Sequence, residues 1–89
     1  MKESKDKITV IVKLFAIYQE TYQKGEITFK LEQNITVEQL LQDFILKEKP
    51  ELKPWENITR FAVNLQFVEP NFILNDQDEI ALIPPVSGG

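Results

Sequence analysis

Ile35-Thr36-Val37-Glu38-Gln39-Leu40-Leu41-Gln42-Asp43-Phe44-Ile45 is the stretch on which the fold turns. Thr36 can accept hydrogen bonds from the first free amides of a helix, and Gln39, three residues on, can reach back to the Thr36 amide, which is the pattern of a capping box. Ile35 and Leu40 occupy the two positions of a hydrophobic staple. Val37, Leu40, Leu41, Phe44 and Ile45 then fall on one stripe at helical spacing. Pro50 stops the helix near Glu48 or Lys49, because the residue before a proline is driven out of the α region. A stripe of this kind is core, so Phe44 is assigned packing and no chemistry.

On either side of this helix the apolar residues alternate, as in strands. Ile8 to Ala16 reads as a first strand that is apolar on both faces, and Glu26 to Leu31 as a second with Ile27, Phe29 and Leu31 on one face. Gln19 to Gly25 between them is polar, ends in glycine and reads as the loop of an antiparallel hairpin. After the helix, Glu51 to Thr59 reads as a polar connector in which the lone Trp55 partly plugs the helix end. Phe61 to Val63, Phe67-Val68 and Glu79 to Ile83 are further strands. Asn64-Leu65 and Asn75 to Asp78 are turns, and Pro70-Asn71 breaks the short middle strand. The order is β, β, α, β, short β, β: an α+β domain with a mixed sheet covered by one main helix.

Composition narrows the chemistry. The 89 residues are 43% hydrophobic and 27% charged, ordinary for one globular domain. No apolar run approaches the roughly 18 residues that span a bilayer, and the charged start has no apolar segment behind it, so a cytoplasmic location is expected. There is no cysteine and no histidine. That excludes a disulfide framework, a thiolate nucleophile, a Cys/His metal site and the usual general base. Ser4 and Ser87, the two serines, have no histidine partner within the chain. The formal charge is −4, and past Arg60 there is neither Lys nor Arg, so the deficit lies in the last 29 residues with Glu69, Asp76, Asp78 and Glu79. An acidic face disfavours nucleic acid and suits a basic protein partner.

The last residues carry the functional signal. Ile83 runs straight into Pro84-Pro85-Val86-Ser87-Gly88-Gly89. Two prolines favour an extended stalk, and two glycines remove every side chain from the tip. Six extended residues reach up to about 20 Å, enough to enter a partner's active site. A carboxylate is a poor electrophile. Adenylation by ATP turns it into a mixed anhydride that sulfur or an amine can attack, and a narrow channel would exclude a Cβ beside the reacting carbon.

Ile80-Ala81-Leu82-Ile83-Pro84-Pro85-Val86-Ser87-Gly88-Gly89 resembles the C-terminal signature of the molybdopterin synthase small subunit, the MoaD type of the MoaD/ThiS ubiquitin-like sulfur-carrier family. Leu14-Phe15-Ala16, Ala62-Val63-Asn64 and Asp78-Glu79 are similar to further family motifs. The resemblance implies a ubiquitin-like β-grasp domain over 8–83, a flexible lead over 1–7 and a functional tail over 84–89. It implies that Gly89 is adenylated, becomes a thiocarboxylate and donates sulfur to a precursor pterin. Pro84, Pro85, Val86, Ser87 and Gly88 would enter the partner, and Phe67, Ile83 and Glu79 would contact it. Phe67 and Ile83, set side by side, would form an apolar patch ringed by Glu69, Asp78 and Glu79. The implied partners are a MoaE-type large subunit in a heterotetramer of two small and two large subunits, a MoeB-type activating enzyme that uses ATP on Gly89, and a sulfur donor protein. No stably bound cofactor, metal, nucleic acid or membrane is implied.

Two positions depart from the family pattern. An Arg-Glu pair is replaced by Gln19-Glu20, and an Asp-Gly-Asp turn by Asp76-Gln77-Asp78, which requires either a non-glycine residue at positive φ or another turn. A thiamine-pathway carrier of the ThiS type, a Urm-type protein modifier and a β-grasp binding module with an inert tail share the same outline.

Overall fold

The computed structural model describes residues 7–85. The readings made above on residues 1–6 and on Val86, Ser87, Gly88 and Gly89 lie outside the described residues. Strand β1, Lys7–Leu14, begins at the last residue of the expected lead and buries Ile8, Val10, Val12 and Leu14 on one face. It ends two residues short of the expected boundary because Ala16 turns the chain at φ 51, ψ −124.

The loop expected from Gln19 to Gly25 is instead mostly helix: α1 spans Ile17–Tyr22 and closes on Gln23 in the left-handed conformation. Tertiary packing explains it. Tyr18 is fully buried, and its hydroxyl lies 2.6 Å from Thr59 Oγ1, which donates onward to the Trp55 carbonyl at 2.7 Å. A buried phenol needs such a partner. Strand β2, Glu26–Glu32, then pairs antiparallel with β1.

The main helix starts as expected. In α2, Val37–Leu40, the Gln39 amide donates to Thr36 Oγ1 at 3.1 Å and the Thr36 amide donates to Gln39 Oε1 at 2.9 Å. Its middle, Leu41–Ile45, is a π-helical turn, after which α3 completes Leu46–Glu48. At about 100° per residue a regular α-helix would aim Leu46 roughly opposite Val37. The wider turn takes up an extra residue and rotates Leu46 back by about a quarter turn, and Leu46 is buried with Val37, Leu40, Leu41 and Ile45.

The connector expected from Glu51 to Thr59 is a 3₁₀ helix, Pro50–Ile58. Pro50 sits at its first position, where a missing N–H costs nothing. Leu52 is the fully buried plug, while Trp55 is half-buried.

Strands β3, Arg60–Val63, β4, Gln66–Val68, and β5, Glu79–Ile83, complete one five-stranded sheet in the order β2-β1-β5-β3-β4. β5 lies between β1, to which it is parallel, and β3, to which it is antiparallel. This is the mixed sheet with helical cover that a β-grasp domain requires. The β3–β4 turn places Asn64 at φ 51 and Leu65 at φ 72, the two positive values of a type I′ hairpin. Gln77 adopts φ 71, so the Asp76-Gln77-Asp78 departure is met by a non-glycine residue in the left-handed region. Ile80, Leu82, Phe61 and Val63 join the β1 side chains under the helices, leaving the other sheet face open. Among the described residues no helix is long and apolar enough to cross a membrane.

Candidate docking face and tail root

Strand register sets out the open face. Ala62 of β3 pairs with Phe67 of β4 on one side and with Ala81 of β5 on the other, and Ala81 pairs with Lys13 of β1. Two residue pairs nearer the tail, and so on the same face, Arg60 pairs with Ile83. Two alanines at the centre of such a row leave a shallow floor between larger side chains. The floor belongs to a groove of about 560 Å³ whose apolar lining includes Phe15, Ala62, Leu65, Phe67, Ala81 and Ile83. Phe67 is 67% exposed and Leu65 93% exposed. Neither contributes much to the core of the free chain.

Phe67 and Ile83 thus share a face and a groove, but they are not side by side: β3 runs between them. The expected acidic ring is also corrected at one position. Asp78 is buried, and its carboxylate accepts hydrogen bonds from Asn64 Nδ2 at 2.9 Å and from the Asn75 amide at 2.8 Å. Its work is to close the turn before β5. Asn64 is tied to the same strand, accepting from the Glu79 amide at 3.0 Å on Oδ1 and donating its own amide to the Glu79 carbonyl at 2.8 Å. Glu79 lines the groove, half-buried, with its carboxylate 3.8 Å from Lys13 Nζ. Lys13 is held more tightly by Glu26, at 2.7 Å, and that hydrogen bond is the main reason its ammonium titrates above the ordinary lysine value. Glu69 is exposed and lies with Arg60 and Phe67 on a neighbouring recess. Gln19 is exposed on α1 at the rim of the groove.

The sequence reading missed Phe15 and Leu65. Leu65 did carry a signal: a branched apolar residue in a two-residue turn has no packing reason to be there, and its positive φ is strained. Phe15, expected near the end of the first strand, lies just past β1 and is 47% exposed. It lines the groove and also a second apolar recess of about 320 Å³ formed with Ala16, Ile83, Pro84 and Pro85. Phe15 and Ile83 are common to both hollows. The apolar surface therefore runs continuously from Phe67 to the root of the tail, where Pro84 is buried and Pro85 exposed. Among the described residues this face is a continuous apolar surface with charged margins.

The profile of the ThiS family matches residues 12–89 of the chain. The molybdopterin synthase sulfur carrier subunit of Arabidopsis thaliana is 33% identical over 98% of this chain and 92% of that protein. Among solved structures, a Pyrococcus furiosus protein assigned as molybdopterin converting factor subunit 1 superposes with a TM-score of 0.76. It is 25% identical, over 89% of this chain and 99% of that one. A chain from the complex of subunits 1 and 2 of the Helicobacter pylori molybdopterin-converting factor superposes at 0.60. It is 31% identical, over 92% of this chain and all of that one, 100%.

Proposed function

The chain belongs to the ThiS family, and on that premise we propose that it is the sulfur carrier subunit of a molybdopterin synthase, with Gly89 as the sulfur-bearing residue. The observation that carries the reading is the family match running through Gly88-Gly89. The Gly89 carboxylate attacks the α-phosphate of ATP on a MoeB-type enzyme and pyrophosphate leaves. Sulfide-level sulfur from a donor protein then attacks the carbonyl carbon, AMP leaves, and a thiocarboxylate remains. The charged tail enters a MoaE-type large subunit and gives its sulfur to the precursor pterin. The absence of cysteine suits this chemistry, since the sulfur rides on a terminal carbonyl carbon.

The body's part is to dock and to aim. The Helicobacter pylori complex of subunits 1 and 2 supports a large-subunit partner, and the groove from Leu65 and Phe67 to Ile83 would supply apolar area for it. Ile83 is common to that groove and to the tail root, so a partner seated on the face is brought beside Pro84-Pro85. Pro84 and Pro85 fix two φ angles at the exit and narrow the directions the tail can take.

The test is intact-mass spectrometry after incubation with activating enzyme, ATP and a sulfur source, followed by large subunit and precursor pterin. The wild-type chain gains the mass of one oxygen exchanged for sulfur and loses it on adding large subunit and pterin. Deletion of Gly89 abolishes both changes and leaves the fold intact. Sulfur transfer by the deletion variant would refute the assignment, and discharge only by a thiazole-forming enzyme would move the chain to the thiamine pathway.

A further inference from the structure

Arg60 is the residue of the open face that the docking role above leaves unused. It opens β3, faces Ile83 across the β3–β5 ladder and lies on the recess it shares with Phe67 and Glu69. Its guanidinium carbon stands 5.5 Å from the centre of the Phe67 ring. It is the one cation in strands β3, β4 and β5, and no basic residue follows it in the sequence.

The other cation near the centre of this face is already neutralised: Lys13 has Glu26 at 2.7 Å and Glu79 at 3.8 Å. Arg60, among the described residues, has no carboxylate within ion-pair distance, although Glu69 lines the same recess. A guanidinium held over a ring by a cation–π contact has fewer places to go before binding, so it loses less freedom when a partner engages its N–H groups. Those groups match a carboxylate with two parallel hydrogen bonds. The site also has the makeup of an interface anchor, an arginine beside an aromatic ring that borders the apolar groove.

We infer that Arg60 is a specificity-determining residue of the docking face, and that it takes an aspartate or glutamate side chain of the large partner subunit while Phe67 packs beneath it. The inference rests on the docking role proposed above. It assigns the face a mixed electrostatic code: one fixed cation inside an acidic margin. A partner that presented only basic residues to this face would leave Arg60 unpaired and desolvated, a penalty that selects against it.

The experiment is titration calorimetry of the full chain against the MoaE-type large subunit of the same organism, at low and moderate salt. The variants are R60A, R60K, R60E and F67A, with urea melts giving the folded fraction of each. R60A is expected to weaken binding by about tenfold and R60E by about a hundredfold. R60K should recover only a small part, because an ammonium neither stacks flat nor binds two carboxylate oxygens. An Asp→Arg or Glu→Arg change on the large subunit should restore R60E by at least about tenfold. If R60A and R60E bind within about twofold of wild type while F67A weakens binding, the inference is wrong and the docking face stands. If the wild-type chain does not bind the large subunit at all, the docking face itself is wrong.

Discussion

Truncating Phe67 to alanine removes a ring that is 67% exposed and whose covered part lies on Ala62 and under Arg60. A phenylalanine offers about 200 Å² for burial. About 130 Å² of it is open in the free chain, worth about 3 kcal/mol at 25 cal/mol/Å² if a partner covers all of it. Partial cover halves that, so the expected loss of affinity for the large subunit is about 1.5–3 kcal/mol, or roughly tenfold to 150-fold. The covered third, about 70 Å², gives about 1.5 kcal/mol of folding stability, to which the cation–π contact adds about 0.5 kcal/mol. Both fall below the 3–5 kcal/mol, roughly, of a core Phe→Ala. Urea melts of the free chain and calorimetry with the large subunit measure the two quantities separately. A stability loss above about 3 kcal/mol with unchanged affinity of the folded fraction would refute the reasoning and make Phe67 a packing residue.

Gly88→Val should leave affinity for the large subunit within about twofold, since the tail tip adds little contact area, but stop sulfur transfer by crowding the reacting carbon; normal single-turnover transfer would show that the channel admits a branched side chain. Gln77→Gly should raise stability by up to about 1 kcal/mol, because Gln77 at φ 71 pays a left-handed penalty that glycine escapes; a lower urea midpoint would mean that the side-chain bond to Asp76 outweighs the strain. Asp76 accepts the Thr9 amide at 2.7 Å, and that bond holds its carboxyl below the ordinary value of 3.8. A depressed folded-state pKa stabilises above the unfolded value and is lost as pH falls through the folded one, so Asp76 supports the fold at neutral pH and drains away in the acid range below 3.8. Asp76→Asn should flatten that acid limb in melts taken from roughly pH 2 to pH 6, and a wild-type-minus-variant difference independent of pH would contradict the linkage.

What the sequence could specify was what neighbours in sequence decide. The Thr36–Gln39 box, the Asn64-Leu65 turn and β5 at Glu79–Ile83 involve contacts or alternations within a few residues, and all three stand as read. α1 was missed because it has no side-chain cap: Ala16 begins it at φ 51, and its anchor is Tyr18 meeting Thr59, 41 residues away. The 3₁₀ helix was missed because Pro50 and Pro54 read as breakers, whereas Pro50 occupies a first-turn position and the buried Leu52 holds the segment. On the open face, motif position pointed to Phe67 and Ile83, and both line the groove. The strand between them, and the inward role of Asp78, depended on a sheet order that no local pattern encodes.

The central position of β5 has a mechanical consequence. A pull on the tail acts along β5, which is held over four residue pairs by β1 and four by β3. Both ladders are then loaded in shear, so many bonds must yield together. β4, paired on one side only over three residue pairs, can be peeled off bond by bond. A partner that pulled on the tail would therefore load a strand held firmly on both sides. Phe67 sits on the strand that peels most easily.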